Sequence, residues 1–255
     1  MSNIDGLLAG QPVFCFTSDI DWASEPVIEH TQGIFSRNGI IPTYFTTHPS
    51  PYLDSLVKKK EAMGGIHPNF LEASSHGNSF DEVCGYFDCF LPEYRRCFRA
   101  HRFFDVTDIN LILRDKGYLY DSNVFTFMEK IRPYRHFSGF VRFPSCWEDG
   151  THLRNTASLE LGRLQPFLDE PGLTIMSVHP LHMAINSPDF QYSRSLKDRL
   201  TREEMVAFAE ESIAKVRHEG PGIATFFEEI LQYVKRKGYP IYTLEELYQM
   251  ITGDA

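Results

Sequence analysis

Short apolar, β-prone runs alternate with amphipathic segments along most of this chain, and that alternation restricts the fold more than any other feature. Pro12 to Thr17 reads as a strand, followed by a helix from Glu25 to Arg37 that closes at Asn38-Gly39, a helix-stop signal. Ile41 to Thr47 repeats the strand signature, and Pro51 to Met63 reads as a helix whose Lys58-Lys59-Lys60 complements the negative end of the helix dipole. A strand at Gly65 to His67, a helix from Ser79 to Phe90, a strand at Arg96 to Arg99 and a helix from Val106 to Asp115 continue the pattern. Later strands are expected at Gly139 to Phe143, Leu173 to Val178 and Tyr239 to Tyr242. Helices are expected over Thr201 to His218, opened by the capping box Thr201-Arg202-Glu203-Glu204, and over Ala224 to Arg236. Repeated βα units call for a parallel sheet, either closed into a distorted (β/α) barrel of about seven strands or left open.

At 255 residues the chain suits one α/β domain spanning 1–255. The formal charge of -9 gives no general attraction to phosphate backbones, so nucleic acid is not an expected partner. The five cysteines are odd in number and contain no CxxC pair, which argues against a disulfide framework or a zinc ribbon. Neither a leader pattern nor a membrane-length apolar run is visible, and the expected location is the cytoplasm, with no integral membrane segment.

Polar residues fall where the strands end. Asp19 and Asp21 follow the first strand, His48 the second, His67 the third, His101 the fourth and His179 the strand at Leu173. One strand-end histidine is more often structural than functional, but six polar residues at one pole of a parallel sheet surround a single crevice. Asp19 and Asp21 are two residues apart, so on an extended chain both face the side occupied by Val13, Cys15 and Thr17, with Phe14 and Phe16 turned to the helices. Adjacent carboxylates repel, and a divalent cation holds both ionised; the competing reading is an Asx turn with a helix cap.

At these residues the sequence resembles the polysaccharide deacetylases, carbohydrate esterase family 4, in a divergent form of the O-antigen or surface-polysaccharide type. Phe16-Thr17-Ser18-Asp19-Ile20-Asp21 is similar to the family's first motif, which implies Asp19 as general base and Asp21 as metal ligand. Gly65-Ile66-His67-Pro68-Asn69-Phe70 resembles the second motif, with His67 as ligand, but Leu71 stands where a second histidine is usual. The third ligand then comes from His101, from His76 in Ser74-Ser75-His76-Gly77, or is absent; His101 is favoured because it directly follows a strand. Phe98-Arg99-Ala100-His101 and the later Tyr120-Asp121-Ser122-Asn123 resemble the third motif, in which Arg99 pairs with Asp19. Trp147-Glu148-Asp149 loosely resembles the fourth motif, and Ser177-Val178-His179-Pro180 resembles the fifth, which makes His179 the general acid.

The resemblance implies a metal-dependent hydrolase that removes an N-acetyl group from an acetamido sugar. A divalent metal of the Zn²⁺ type on Asp21 and imidazoles would polarise the acetyl carbonyl and acidify water, Asp19 would take the water's proton, and His179 would protonate the leaving nitrogen. His182 reads as a loop residue or as a second polar group in the cleft, and Trp147 as either a sugar platform or core. The expected substrate is a small molecule or glycan in a surface-polysaccharide precursor. Two rivals are an amidohydrolase acting on a non-sugar amide or ureide, and a silent glycan-binding or partner-binding member, which Leu71 motivates.

Overall fold

The computed structural model describes residues 3–156 and 158–253. Among the described residues nine strands form one sheet: β1 (Pro12–Asp19), β2 (Thr43–Thr46), β3 (Met63–Ile66), β4 (Cys97–Phe98), β5 (Tyr120–Asp121), β6 (Tyr134–Arg135), β7 (Val141–Arg142), β8 (Trp147–Glu148) and β9 (Gly172–Val178). Their order is β6-β7-β5-β4-β3-β2-β1-β9-β8, parallel except for the β6–β7 hairpin. The sheet is a curled half-barrel with β6 and β8 as its edges, so the expected seven parallel strands become nine, one of them antiparallel. The two-residue strands β5, β6 and β8 account for the difference, because so short a run has no visible period.

The alternation of β1 divides two cores as the sequence requires. Phe14 and Phe16 pack with the outer helices, against Val27, Phe35 and Phe227, whereas Val13 and Cys15 join Phe45, Tyr120, Phe143, Leu173 and Ile175 on the inner face. That inner face is covered by the helices Asn3–Gly10 and Leu244–Thr252, through Ile4, Leu8, Leu244 and Leu247. Burying about ten large apolar side chains there excludes water from the open side of the half-barrel.

Several expected elements are shortened by tertiary demands. The helix from Pro51 ends at Lys58, and Lys60 turns in a left-handed conformation (φ 59°) so that the chain reaches β3. In β3 the packing requires Gly64 and Gly65, because a Cβ at the first would lie 2.7 Å from the Tyr94 ring and at the second 2.7 Å from the Phe45 ring. The helix expected over Thr201 to His218 is two, Arg202–Val206 and Glu210–Val216, with the capping box intact. Between them the Phe208 carbonyl accepts from the Ser24 hydroxyl, so a long-range bond replaces a helical one. Helix Ile223–Lys237 follows its expected bounds closely, whereas Tyr239 to Tyr242 contributes only a bridge between Phe14 and Ile241. No helix among the described residues is long and apolar enough to cross a membrane.

Candidate active site

The strand ends open into one crevice of about 600 Å³ lined by Asp19, Asp21, His67, His101, Glu148 and His179. Parallel pairing explains the convergence. Thr17 lies beside Ser177 in the β1–β9 register and Ile66 beside Phe98 in the β3–β4 register, so residues just beyond these pairs emerge at the same level.

Asp19, the last residue of β1, is almost fully buried and makes an ion pair with Arg99 at 2.8 Å through Oδ1. Arg99 is wholly buried. Its Nη1 lies 2.8–2.9 Å from the Thr17 and Ser177 hydroxyls as well as from Asp19, while Nε donates to the Ser122 carbonyl and Nη2 to the Ser122 hydroxyl. Five polar contacts, three of them sharing the two Nη1 hydrogens, offset the cost of removing the guanidinium charge from water. The guanidinium also lies 4.5 Å from the centre of the Phe45 ring.

Asp21 does not continue the strand. It and Trp22 adopt left-handed backbone conformations, with φ 44° and 59°. The expectation of two carboxylates on one extended face is therefore corrected: a turn, not the strand pleat, aims Asp21. After β4 the pair Arg102 and Phe103 does the same, with φ 56° and 53°. Four non-glycine residues in this sparsely populated region line one crevice, each at about 1–3 kcal/mol, which the surrounding packing must offset.

Asp21 Oδ1 lies 3.1 Å from His101 Nδ1 and 3.4 Å from His67 Nε2, and the two nitrogens are 3.3 Å apart. Ligand atoms about 2.1 Å from a common divalent ion stand about 3.0 Å apart in octahedral and about 3.4 Å apart in tetrahedral geometry, and these spacings match. His67 Nδ1 donates to the Arg99 carbonyl at 2.6 Å, so a neutral His67 turns the lone pair of Nε2 towards the Asp21 carboxylate. Asp21 Oδ1 is buried and receives no well-directed hydrogen bond. A lone pair facing a carboxylate is favourable only with a cation between them, so this donor set fits a divalent metal. Burial opposes ionisation of Asp21, but imidazoles of His101, His67 and His179 that present a proton to it outweigh burial and hold the carboxyl well below the usual range, and a metal ion would supply that positive charge in their place.

His179 caps the end of β9. Its Nδ1 lies 2.7 Å from Asp149 Oδ1, and its backbone N–H donates to Asp149 Oδ2 at 2.7 Å. Burial alone would lower the imidazole pKa; Asp149, then Asp21 and Glu148, raise it to about 10. Asp149 itself is fully buried and, despite that burial, is held below the usual carboxylate range by His179 and His182. Glu148, 3.9 Å from His179 Nε2, is pushed up by burial. In the sequence Asp149 stands only within the loose fourth-motif resemblance and without a role; its pairing with His179 is what the structure adds. Its place two residues after a buried tryptophan was the available signal, too weak to stand alone.

The other candidates lie elsewhere. His76 is buried outside the ligand cluster, stacked on Tyr86, accepting from the Asn69 N–H, and lowered by burial to about 4. Leu71 lines a separate hollow with Phe70 and Phe80. His48 pairs with the Thr47 hydroxyl and does not line the crevice. His182 is not a loop residue; it is buried in helix Pro180–Ile185, reaches the crevice wall, and is lowered by burial to about 3. Trp147 is wholly buried, stacks on Phe227 and donates to His152, so it is core and not a sugar platform. Trp22 instead forms a wall of the crevice, edge-on to His101 at 5.2 Å.

The family model of the WbmS-like polysaccharide deacetylases matches residues 16–197, well over half of the chain. Among solved structures, a Bordetella bronchiseptica protein described as a polysaccharide deacetylase involved in O-antigen biosynthesis shares the fold with a TM-score of 0.74. The two are 24% identical over 87% of this chain and 90% of that one. A carbohydrate esterase family 4 enzyme from Streptococcus mutans is more distant, with 12% identity, a TM-score of 0.49, and coverage of 94% of this chain and 89% of its own. No curated protein matches the chain. The strand-end crevice thus sits on a polysaccharide deacetylase fold, and the chain belongs to the WbmS-like polysaccharide deacetylases.

Proposed function

We propose that this chain hydrolyses the N-acetyl group of an acetamido sugar in a surface-polysaccharide precursor. In this reading Asp21, His67 and His101 hold a divalent metal of the Zn²⁺ class, Asp19 is the base, His179 the acid, and Arg99 orients Asp19. The observation that supports it most is the convergence of the three ligand atoms, at 3.1–3.4 Å, with the Asp19–Arg99 and His179–Asp149 pairs in one crevice.

When bound, the metal supplies Lewis acidity to the acetyl carbonyl. The chain's own residues do the rest. Arg99 occupies Asp19 Oδ1, and no described residue donates to Oδ2, which is left to accept the proton of an attacking water. Asp149 fixes Nδ1 of His179, so Nε2 faces the crevice and donates its proton to the leaving nitrogen as the C–N bond breaks. Water adds to the carbonyl carbon, and acetate and the free amine are the products.

Protein purified without chelators should carry about one divalent ion per chain by elemental analysis, and Asp21→Asn and His67→Ala should lose it. Acetate release from acetamido sugars should stop with chelator and return with metal. Absence of metal binding on titration would refute the metal-dependent reading, and activity retained in Asp19→Asn would refute the base assignment.

A further inference from the structure

The chain carries a net charge of -9, yet the crevice mouth is lined by five cations, Arg102, Arg154, Arg194, Lys197 and Arg202. The carboxylates of the lining, Asp19, Asp21 and Glu148, are all largely buried at the reaction centre. Arg194 and Lys197 stand three apart on helix Phe190–Lys197 and so share a face. Arg154, from helix Asp149–Asn155, lies over the Phe190 ring at 5.8 Å and brings a third cation to the same wall. A neighbouring groove shares Arg154, Phe190 and Arg194 with the crevice and extends this wall outward.

Most of these cations are not matched by local acids. Among the described residues no carboxylate pairs with Arg102 or Arg154. Arg194 has only the exposed Asp198 at 2.9 Å, and Arg202 lies over Trp22 while donating to the Ala73 carbonyl. Lys197 reaches inward, and its sole carboxylate partner among the described residues is Asp21 Oδ2 at 3.8 Å. If Asp21 Oδ1 holds a metal, as the reading above has it, the ion's charge exceeds that of the carboxylate and repels Lys197 although Oδ2 stays 3.8 Å away. An anion between them removes that repulsion, and guanidinium forks suit bidentate binding of carboxylate or phosphate.

We infer that the crevice takes an anionic acetamido sugar whose carboxylate or phosphate is bound by Arg154, Arg194 and Lys197. This rests on the crevice being the sugar site but not on turnover. The probes are a 2-acetamido-2-deoxyhexuronic acid glycoside, the carboxamide of the same glycoside as its neutral counterpart, and a nucleoside-diphosphate acetamido sugar.

Calorimetric binding to the metal-loaded protein should favour the acid over its carboxamide at least tenfold at low salt. That ratio should fall towards one in Arg154→Ala/Arg194→Ala and remain in Arg163→Ala, an exposed cation outside the crevice; thermal melting checks that each variant is folded. If the diphosphate sugar binds tighter than the acid, phosphate is the natural anion; the reverse order assigns a carboxylate. Equal binding of acid and carboxamide, together with a diphosphate sugar no tighter than either, would overturn the inference, as would a ratio insensitive to the double substitution. Selective anion binding without acetate release from any probe would keep the anion site and overturn the deacetylase reading instead.

Discussion

At His179 one buried carboxylate does two things: Asp149 accepts a hydrogen bond from Nδ1–H and another from the backbone N–H of the same residue. The ring is thereby fixed in plane and kept protonated, with a pKa raised to about 10. Because the folded value lies above the ordinary 6.5, stability from this pair is fully present below about pH 6.5 and is lost as pH rises towards 10. On the acid side Asp149 is held below 3.8, so its share is present above that value and is lost as pH falls further. Asp149→Asn should lower kcat by about 10²-fold or more, through loss of ring orientation, and move the alkaline limb of the kcat–pH profile to lower pH. A profile unchanged in position would show that Asp149 does not set the acid's pKa. Arg99→Met should cost about 3–5 kcal/mol in urea unfolding, since it strands Asp19 as a buried, unpaired charge.

Among the elements, the short turns after β1 and β4 matter more than the strands. Both place paired left-handed residues, Asp21-Trp22 and Arg102-Phe103, at the crevice wall. Helix Leu244–Thr252 has a different role, and its N-terminus is secured by a reciprocal capping box between Thr243 and Glu246. Thr243→Ala should lower stability by about 1 kcal/mol, read from the urea midpoint, while metal content stays at the wild-type level. Its packing explains that separation: the helix lies on the inner core, and none of its described residues lines the crevice.

For the whole molecule, the half-barrel depends on its two terminal helices as a lid on the inner core. Leu247→Ala, at a wholly buried position, should cost about 2–5 kcal/mol in equilibrium unfolding. A cost within a few tenths would mean that the inner core does not need this helix. The uneven charge distribution has its own consequence. An acidic molecule with a basic mouth attracts an anionic ligand only over about one Debye length, roughly 10 Å at 0.1 M salt. Affinity for the uronic acid probe should therefore fall with ionic strength, while that of its carboxamide stays flat.

Residue order alone determined the α/β class, the outward Phe14 and Phe16, and the families of side chains at the strand ends, because strand period and βα alternation are local patterns. The Asp19–Arg99 contact was legible only through the resemblance, since 80 residues separate the two. What only the tertiary structure decided is where loops and short strands lie. His101 and not His76 approaches Asp21, because the chain after β4 turns into the crevice while His76 is buried among Tyr86, Phe87 and Trp22. Asp149 and Lys197 reached the site in the same way, from elements whose packing brings a distant residue within 4 Å. Local pattern records how each segment buries its own apolar face; which polar groups then meet depends on how those faces pack, and no single segment encodes that.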